Sequence, residues 1–553
     1  MTVRGIGVSP GVAQGPTVKV TTTKICPPGE STNDPVGAER QVSEALETVA
    51  LQMEARAQAA SEQGRAVLEA TAMMARDPGL VPGAVAHIAT GLGPVDALYL
   101  AVEEYCSLLE GLDAYMAERA EDLRDVFQRA AAHMMGLPCP GIPLLDVPSI
   151  LISRDLAPAD TATLDPAMVL GIVTEGGGVT SHTAILAAQL GIPAVVRANG
   201  ILATAPTHLA IDGGTGEILI DPDAATVATL MQRSQLTVAL QHSTHGPGAT
   251  RDGHAVQLLA NIGTADDAAR AAATDVEGSG LFRTEFLFLD RTDAPTIDEQ
   301  TSTYRSVFKA FGNRKIVVRT LDAGADKPLA FANLGHEENP ALGVRGLRLQ
   351  RATETLLTDQ LTALAKAREA TGADVWVMAP MVATAEEAEW FTQQCRQAGL
   401  PNVGTMVEVP AAALRSADVL RPCDFASIGT NDLSQYLFAA DRMDGRLAHL
   451  LSGWQPALWE LILATVTGAD GKPVGICGEI AGDPLLALVA VGAGITSLSM
   501  APSKVPLVRA ALARHDLQTC HSMLEAMLSS SRPETAHQQV TALLDPEVAS
   551  VLT

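Results

Sequence analysis

The chain has 553 residues, a formal net charge of −25 and seven scattered cysteines without a CxxC pair. Its length favours about three or four domains, and its acidity argues against nucleic-acid binding, because a phosphate backbone requires a basic protein surface. No apolar run is long enough to enter a membrane and no signal peptide is visible, so we expect a cytoplasmic protein without disulfides or a zinc site.

The first 222 residues alternate between two sequence patterns. Short segments rich in β-branched residues flank a long helical stretch, namely PTVKVTT before it and SILIS, VLGIVT, IPAVVR and GEILID after it. Between them, residues 34–136 carry apolar residues at the spacing of amphipathic helices. Since residues 1–33 are too few to bury a core, we predict an α/β domain of residues 1–33 and 137–222, interrupted by a helical domain of residues 34–136.

A glycine-rich segment lies inside this α/β domain, GGGVTSHTAILAAQLGIPAVV from Gly176. Thr180 or Ser181 can cap the helix that follows, which places His182 in the first helical turn. The helix dipole disfavours an imidazolium there, and the free backbone amides attract an incoming phosphate. The pattern favours His182 as a phosphoryl acceptor, and the alternative is a histidine that caps or packs the helix.

The last three hundred or so residues, 251–553, repeat a strand followed by a helix, after a predicted linker helix at residues 223–250. The strand candidates are VQLLANIG, SGLFRTEF, KIVVRTLD, DVWVMAPM, NVGTMVEV, CDFASIGT, KPVGICGE and ITSLSMAP. Eight such units predict a closed (β/α)8 TIM barrel. The expected fold class is therefore multidomain α/β.

Polar residues collect at the carboxyl ends of the predicted barrel strands, where the loops of such a barrel face one another. They are Arg283, Arg319, Asp322, Glu408, Asn431, Asp432, Cys477 and Glu479. Because charges do not gather in this way at the strand starts, we expect an active site at this end of the barrel.

Glu408 and Asp432 end adjacent predicted strands, so their carboxylates can converge on a hard cation such as Mg²⁺. The alternative is a pair of rim carboxylates bonded to arginines. Guanidinium groups suited to an anionic substrate belong to Arg283, Arg319, Arg345 and Arg442. Arg345 fits a loop anchor equally well, and Cys477 is either buried filler or an acid for an enolate.

The chain resembles the Enzyme I family, the phosphoenolpyruvate-protein phosphotransferases, over nearly its whole length. The shared motifs are GIGVSPGVAQG, GGGVTSHTAI, GLFRTEFLF, VVRTLDAGADK, NPALGVRGLRL, MVEVPAA, IGTNDLSQY and ICGEIAGD. The resemblance implies a swivelling phosphohistidine domain, an inserted helical domain that docks the carrier HPr, and a barrel that binds phosphoenolpyruvate and forms a homodimer. It implies transfer of the phosphoryl group from phosphoenolpyruvate to HPr, with release of pyruvate, at the start of sugar uptake.

The same resemblance assigns roles to individual residues. It implies that Nε2 of His182 attacks phosphorus and that Cys477 protonates the pyruvate enolate. The implied substrate contacts are Arg283, Arg319, Asn431, Asp432 and Arg442, and the implied ligands of Mg²⁺, with Mn²⁺ left open, are Glu408 and Asp432. The implied HPr contacts are Met73, Met74, Tyr115 and Arg119, for which core packing and helix pairing are equally good explanations.

Two positions depart from the family pattern. Ala188 stands where the family commonly has an arginine that helps to hold the phosphoryl group, and whether Arg197 replaces it is open. Thr71 stands where a histidine is frequent.

Three rival functions share parts of this pattern. A dikinase or phosphoenolpyruvate synthase would need an ATP-binding domain, and the sequence shows no Gly-rich nucleotide loop. A paralogue that serves a regulatory carrier stays open. A non-catalytic docking protein with the same fold is disfavoured, because Arg283, Glu408, Asp432 and Cys477 are all present.

Overall fold

The computed structural model describes residues 2–20, 25–59, 62–110, 114–137, 142–143, 145, 147–156, 164–178, 181–289, 291–324, 329–332, 337–442 and 444–552. The chain divides into two compact units, residues 1–234 and 235–553. Each unit buries hydrophobic clusters of its own. The predicted multidomain α/β fold class is confirmed, with the closed barrel in the second unit.

The described part of the first unit contains one eight-stranded sheet. Its strands are β1 Thr2–Arg4, β2 Ile6–Ser9, β3 Val12–Lys19, β4 Ser149–Ser153, β5 Val169–Thr174, β6 Ala194–Val196, β7 His208–Asp212 and β8 Glu217–Ile220, in the order β1-β8-β7-β3-β4-β5-β6-β2. Strands β3 to β6 are parallel to one another and the remaining pairs are antiparallel. The carboxyl ends of the parallel strands therefore share one edge of the sheet.

A group of helices with its own core lies between β3 and β4 in the chain. These helices are α1 Pro35–Ala59, α2 Glu62–Ala75, α3 Leu80–Ile88, α4 Pro94–Glu110 and α5 Ala114–Met134. The buried side chains recur at helical spacing, as Val42, Leu46, Val49 and Met53 do along α1. The amphipathic pattern predicted for this stretch therefore corresponds to helices that pack on one another.

Three further helices follow in the first unit and at its end, α6 His182–Leu190, α7 Ile201–Thr204 and α8 Ala224–Gln241. Helix α8 runs across the boundary between the two units. Leu230 packs in a cluster with Ala210 and Leu219 of the first unit, whereas Leu240 belongs to the core of the second. Each end of α8 is thus fixed in a different core.

All eight predicted barrel strands are present, and the barrel is closed and parallel throughout. They are β9 Gln257–Ile262, β10 Gly278–Arg283, β11 Lys315–Arg319, β12 Val375–Ala379, β13 Asn402–Val407, β14 Phe425–Ile428, β15 Val474–Ile476 and β16 Ser497–Met500. A separate buried cluster, to which β10 to β14 contribute and which includes Cys477, fills the barrel interior.

Helices surround this barrel. They are α9 Ala265–Ala272, α10 Ile297–Phe311, α11 Leu347–Ala352, α12 Glu354–Thr371, α13 Ala385–Gln397, α14 Pro410–Leu414, α15 Ser416–Val419, α16 Thr430–Phe438, α17 Pro456–Gly468, α18 Pro484–Gly492, α19 Val505–Arg514, α20 Leu517–Ser529, α21 Pro533–Thr541 and α22 Pro546–Leu552. Capping boxes start α9, α10 and α13, so local sequence fixes where these helices begin. Among the described helices, none is both long and apolar enough to span a bilayer.

A lysine packs against two aromatic rings at the amino end of the barrel. The ammonium group of Lys315 lies 3.8 Å from the ring centroid of Trp376 and 5.7 Å from that of Phe425. Burial lowers the pKa of Lys315 to about 8, with Asp374 opposing the shift. These groups lie at the end of the barrel opposite the carboxyl ends of the strands.

Trp459 of α17 offers a test of the barrel packing. It is fully buried, and its indole Nε1 donates a hydrogen bond of 2.8 Å to the carbonyl of Gly453. We expect Trp459→Ala to lower the free energy of unfolding of the barrel by about 3–5 kcal/mol, because the cavity cannot refill. Trp390→Ala is the matched control, since this ring is only partly buried, with the Arg351 guanidinium 5.4 Å from its centroid. Equal losses in denaturant unfolding would contradict the packing described.

Candidate active site

Four carboxylates and two guanidinium groups are buried together at the carboxyl ends of β10 to β14. The carboxylates belong to Glu285, Asp322, Glu408 and Asp432, and the guanidinium groups to Arg319 and Arg345, all at most 7 % exposed. Their sum is two negative charges in a region from which water is largely excluded. Such an excess is unfavourable unless cations or protons balance it.

Arg319 stands at the centre of this cluster. Its Nη2 is 2.6 Å from Oε1 of Glu285, and its Nη1 is 3.0 Å from Oδ2 of Asp322 and 3.8 Å from Oε1 of Glu408. These carboxylates raise the pKa of the guanidinium against the effect of burial. Its Nε is buried and has no hydrogen-bond partner among the described residues. One donor of Arg319 is thus unsatisfied inside the cluster.

Arg345 bridges two of the carboxylates. Its Nη2 is 3.0 Å from Oδ2 of Asp322, and its Nη1 is 3.2 Å from Oδ1 of Asp432 and 3.4 Å from the hydroxyl of Tyr436. Of the two roles considered from the sequence, the anchoring contacts are visible here. Arg442 is more exposed, with Nη1 3.5 Å from Oδ2 of Asp432.

Glu408 and Asp432 each keep one oxygen that is weakly engaged. Oε2 of Glu408 accepts the backbone N–H of Met381 at 2.9 Å, whereas the polar contact of Oε1 among the described residues is the one at 3.8 Å to Arg319. Burial, and then the charges of Asp432 and Asp322, raise the pKa of Glu408 well above its ordinary value. Within the described residues no three acidic, histidine or cysteine side chains are grouped to hold a metal ion. Two carboxylate oxygens in a pocket of excess negative charge do fit a hard divalent cation that takes its other ligands from substrate and water.

The backbone of Met381 is strained where it contacts Glu408. Met381 is buried and has φ +57, in the left-handed region that side chains other than glycine rarely adopt. This conformation accompanies the hydrogen bond from its N–H to Oε2 of Glu408. Strain of this kind clusters at functional sites because the surrounding structure enforces it. Sequence reasoning missed Met381, and no local signal reveals it.

Cys477 is 2 % exposed and lies in the barrel interior after β15. The hydroxyl of Ser427 donates to its Sγ at 3.2 Å. Burial raises the pKa of the thiol to about 11, while the charges of Arg319 and Arg283 oppose the shift. The thiol is therefore protonated at neutral pH. It can serve as a proton donor, whereas its thiolate form is rare at that pH.

The other predicted substrate contacts lie around these groups. Arg283 is exposed at the end of β10. Oδ1 of Asn431 accepts the backbone N–H of Glu479 at 3.1 Å, which joins the loops after β14 and β15. Glu285, two residues after Arg283, was missed, although the motif GLFRTEF places its carboxylate directly after a strand.

A buried polar network supports the end of β11 from behind. The amide nitrogen of Gln360 donates to the hydroxyls of Thr284 and Tyr304, each at 3.1 Å, and its oxygen accepts the N–H of Leu321 at 3.0 Å. Thr284 in turn donates to the carbonyl of Arg319 at 2.9 Å. The network fixes the backbone that carries Arg319, and sequence reasoning missed it.

In the first unit, His182 is the first residue of α6. Ser181 is the N-cap and its hydroxyl accepts the N–H of Ala184 at 3.3 Å, whereas Thr180, the other cap considered, lies outside the described residues. The His182 side chain also lies outside the described part of the structure. The position of His182 at the start of a capped helix, after the carboxyl end of β5, is what the sequence predicts.

The residues predicted to contact a partner lie on the helical insert. Met73 is 69 % exposed. Met74 is partly buried against the core of the insert, and Thr71 is buried, with 3 % exposed. Arg119 contacts Asp122 on its own helix at 3.4 Å. The Tyr115 side chain lies outside the described residues. Of the side chains described, Met73 is the one most open to a partner.

Three segments match families of phosphoenolpyruvate-utilising enzymes. Residues 4–119 match the N-terminal family, residues 145–216 the mobile domain and residues 238–517 the phosphoenolpyruvate-binding domain. The third match contains the whole buried charge cluster, and the second contains His182.

Proteins named phosphoenolpyruvate-protein phosphotransferase align with almost the entire chain. The protein of that name from Streptomyces coelicolor is 47 % identical over 99 % of this chain and 100 % of its own length. The protein from Haloferax volcanii is 37 % identical over 86 % of this chain and 86 % of its own length. The protein from Bacillus subtilis is 34 % identical over 96 % of this chain and 97 % of its own length. The chain therefore belongs to the phosphoenolpyruvate-protein phosphotransferase family.

Proposed function

We propose that this chain takes the phosphoryl group of phosphoenolpyruvate onto His182, releases pyruvate and passes the group to the carrier HPr. The observation that carries the proposal is the buried cluster at the barrel mouth, where a guanidinium with an unpartnered Nε lies among four carboxylates and Arg319 and Glu408 act electrostatically on the buried Cys477 thiol. An anion with phosphate and carboxylate groups needs such donors, and an enolate needs such an acid. The name of these relatives, phosphoenolpyruvate-protein phosphotransferase, agrees with this chemistry.

Binding of the substrate anion falls to the arginines. The unpartnered Nε of Arg319 supplies a buried donor, and the exposed Arg283 and Arg442 extend the positive surface at the rim. Asn431 is positioned by its bond to Glu479 to present its amide beside them. Held in this way, the phosphoryl group loses much of the charge that repels a nucleophile.

Glu408 and Asp432 would hold the divalent cation, which we take to be Mg²⁺. When bound, the ion supplies positive charge for the phosphate and enolate oxygens. Arg345 orients Asp432 through its bond to Oδ1, which would leave Oδ2, now 3.5 Å from Nη1 of Arg442, as the oxygen for the cation. Met381 orients Glu408 in the same way.

The chemical step forms one bond and breaks another. Nε2 of neutral His182 attacks phosphorus in line, and the bond from phosphorus to the enolate oxygen breaks. The enolate then takes the Cys477 proton at its methylene carbon and becomes pyruvate, and water later returns a proton to sulfur. Because His182 and the barrel belong to different units, the histidine-bearing domain delivers its imidazole first to the barrel and then to the carrier.

Each step of this proposal is assigned to one region of the chain. We assign residues 1–33 and 137–222 to the phosphohistidine domain, 34–136 to HPr docking through Met73, Met74, Tyr115 and Arg119, 223–250 to the linker, and 251–553 to substrate binding and homodimer formation. The exposure of Met73 supports the docking role.

Labelling tests the proposal as a whole. With radiolabelled phosphoenolpyruvate and Mg²⁺, we expect acid-labile, base-stable label on the wild type and none on His182→Ala, because the acceptor nitrogen is gone. His208→Ala is the matched control, since His208 is an exposed histidine of the same domain. Label from ATP but not phosphoenolpyruvate would indicate a dikinase instead.

The cation ligands can be tested by removing one charge. We expect Glu408→Gln to slow pyruvate formation at least about a hundredfold and to raise the Mg²⁺ concentration needed for half-maximal rate. Glu460→Gln, an exposed carboxylate on α17, should leave both quantities unchanged. An unchanged magnesium dependence in Glu408→Gln would contradict the ligand assignment.

The raised pKa of the Cys477 thiol predicts how the rate of its alkylation depends on pH. Because the pKa of its thiol is raised to about 11, thiolate appears only as the pH rises toward that value. We expect the rate of iodoacetamide labelling of Cys477 to rise about tenfold per pH unit above neutrality, without a plateau. The exposed Cys26 serves as an internal reference for reagent activity in mass spectrometry. A plateau near neutral pH would show a thiolate there and would refute the acid role.

A further inference from the structure

The loop before His182 is contacted by an arginine from the next strand. Nε of Arg197 donates to the carbonyl of Gly177 at 3.2 Å, and its Nη2 is 3.7 Å from where a Cβ on Gly178 would lie. Arg197 directly follows β6, which pairs parallel with β5. Its guanidinium therefore reaches the loop from the sheet edge at which α6 begins.

The backbone at Arg197 is in an unfavourable conformation. Its φ is +55, in the left-handed region where glycine carries no steric penalty and an arginine does. A glycine would serve the turn better, so the backbone alone does not explain an arginine here. A long charged side chain at a strained position points to a role for that side chain.

The acidic groups at the same edge are engaged elsewhere. Asp155, after β4, accepts the hydroxyl of Thr183 at 3.3 Å, and Glu175, after β5, accepts the N–H of Leu202 at 3.0 Å. Among the described residues, the Arg197 side chain donates one hydrogen bond, from Nε to the carbonyl of Gly177. The two terminal nitrogens of an exposed guanidinium remain available to an anion in front of the loop.

We propose that Arg197 binds the phosphoryl group carried by His182 and supplies the positive charge that this chain lacks at Ala188. The inference rests on the proposed function of His182. Ala188 is exposed on α6 and offers no polar group. A guanidinium on the phosphoryl oxygens favours their dianionic form, so it lowers the second pKa of phosphohistidine and holds the group in place.

Phosphorus NMR titration of the protein phosphorylated with phosphoenolpyruvate and Mg²⁺ tests this role. We expect Arg197→Gln to raise the second pKa of the phosphoryl group by about half a pH unit or more, and Arg197→Lys to restore part of the shift. Arg154→Gln is the matched control, because Arg154 is also exposed at this edge and, among the described residues, no hydrogen bond or ion pair joins its side chain to the loop. A merely structural arginine would leave the titration unchanged.

Arg197→Gly separates strain from function. We expect it to melt at or above the wild-type temperature, since glycine relieves the left-handed backbone, and yet to show the raised phosphoryl pKa. Ala205→Gly, which relieves strain at φ +44 in the same domain, should leave that pKa unchanged.

The outcomes distinguish two failures. If every variant is labelled on His182 and the second pKa of the phosphoryl group is the same in all of them, the role of Arg197 is overturned and the proposed function stays intact. Loss of label in Arg197→Gln alone, at an unchanged melting temperature, supports the role. Absence of label in the wild type overturns the proposed function and this inference with it.

Discussion

The chemistry of the barrel depends on an imbalance of buried charge. Arg319 and Arg345 lie among four carboxylates, and burial together with the charges of Asp432 and Asp322 raises the pKa of Glu408. Removing one partner from such a cluster leaves an uncompensated charge, so its members are interdependent. In the function proposed above, the same imbalance attracts a divalent ion, and that ion would make an otherwise acidic protein receptive to an anionic substrate.

Groups outside the cluster keep it in one arrangement. Gln360 satisfies Leu321, Thr284 and Tyr304 at once, and Thr284 holds the carbonyl of Arg319. The strained backbone of Met381 directs Glu408 from the opposite side. Preorganised donors and acceptors contribute more to catalysis than flexible ones, because little reorganisation remains for the reaction itself. The glutamine network and Met381 thus help to preorganise the candidate site, although neither is expected to touch substrate.

The sequence predicts those features that repeat or that follow a local rule. All eight barrel strands alternate with helices and were found, and the helix that starts at His182 follows from its capping residue and glycines. Strands β1, β2 and β7 were missed. The first two are only three and four residues long, and β2 is placed by antiparallel pairing with β6, far along the chain. Likewise, the bonds from Gln360 to Leu321 and from Met381 to Glu408 join residues that only the closed barrel brings together.

The burial of Cys477 inside the barrel has a consequence for turnover. Its thiol lies in the buried cluster to which β10 to β14 contribute, with 2 % of the residue exposed. In the reaction proposed above, this buried sulfur gives its proton to the enolate and must be reprotonated before the next turnover. A product that stays bound beside the thiol would then delay the next cycle even when the histidine is ready.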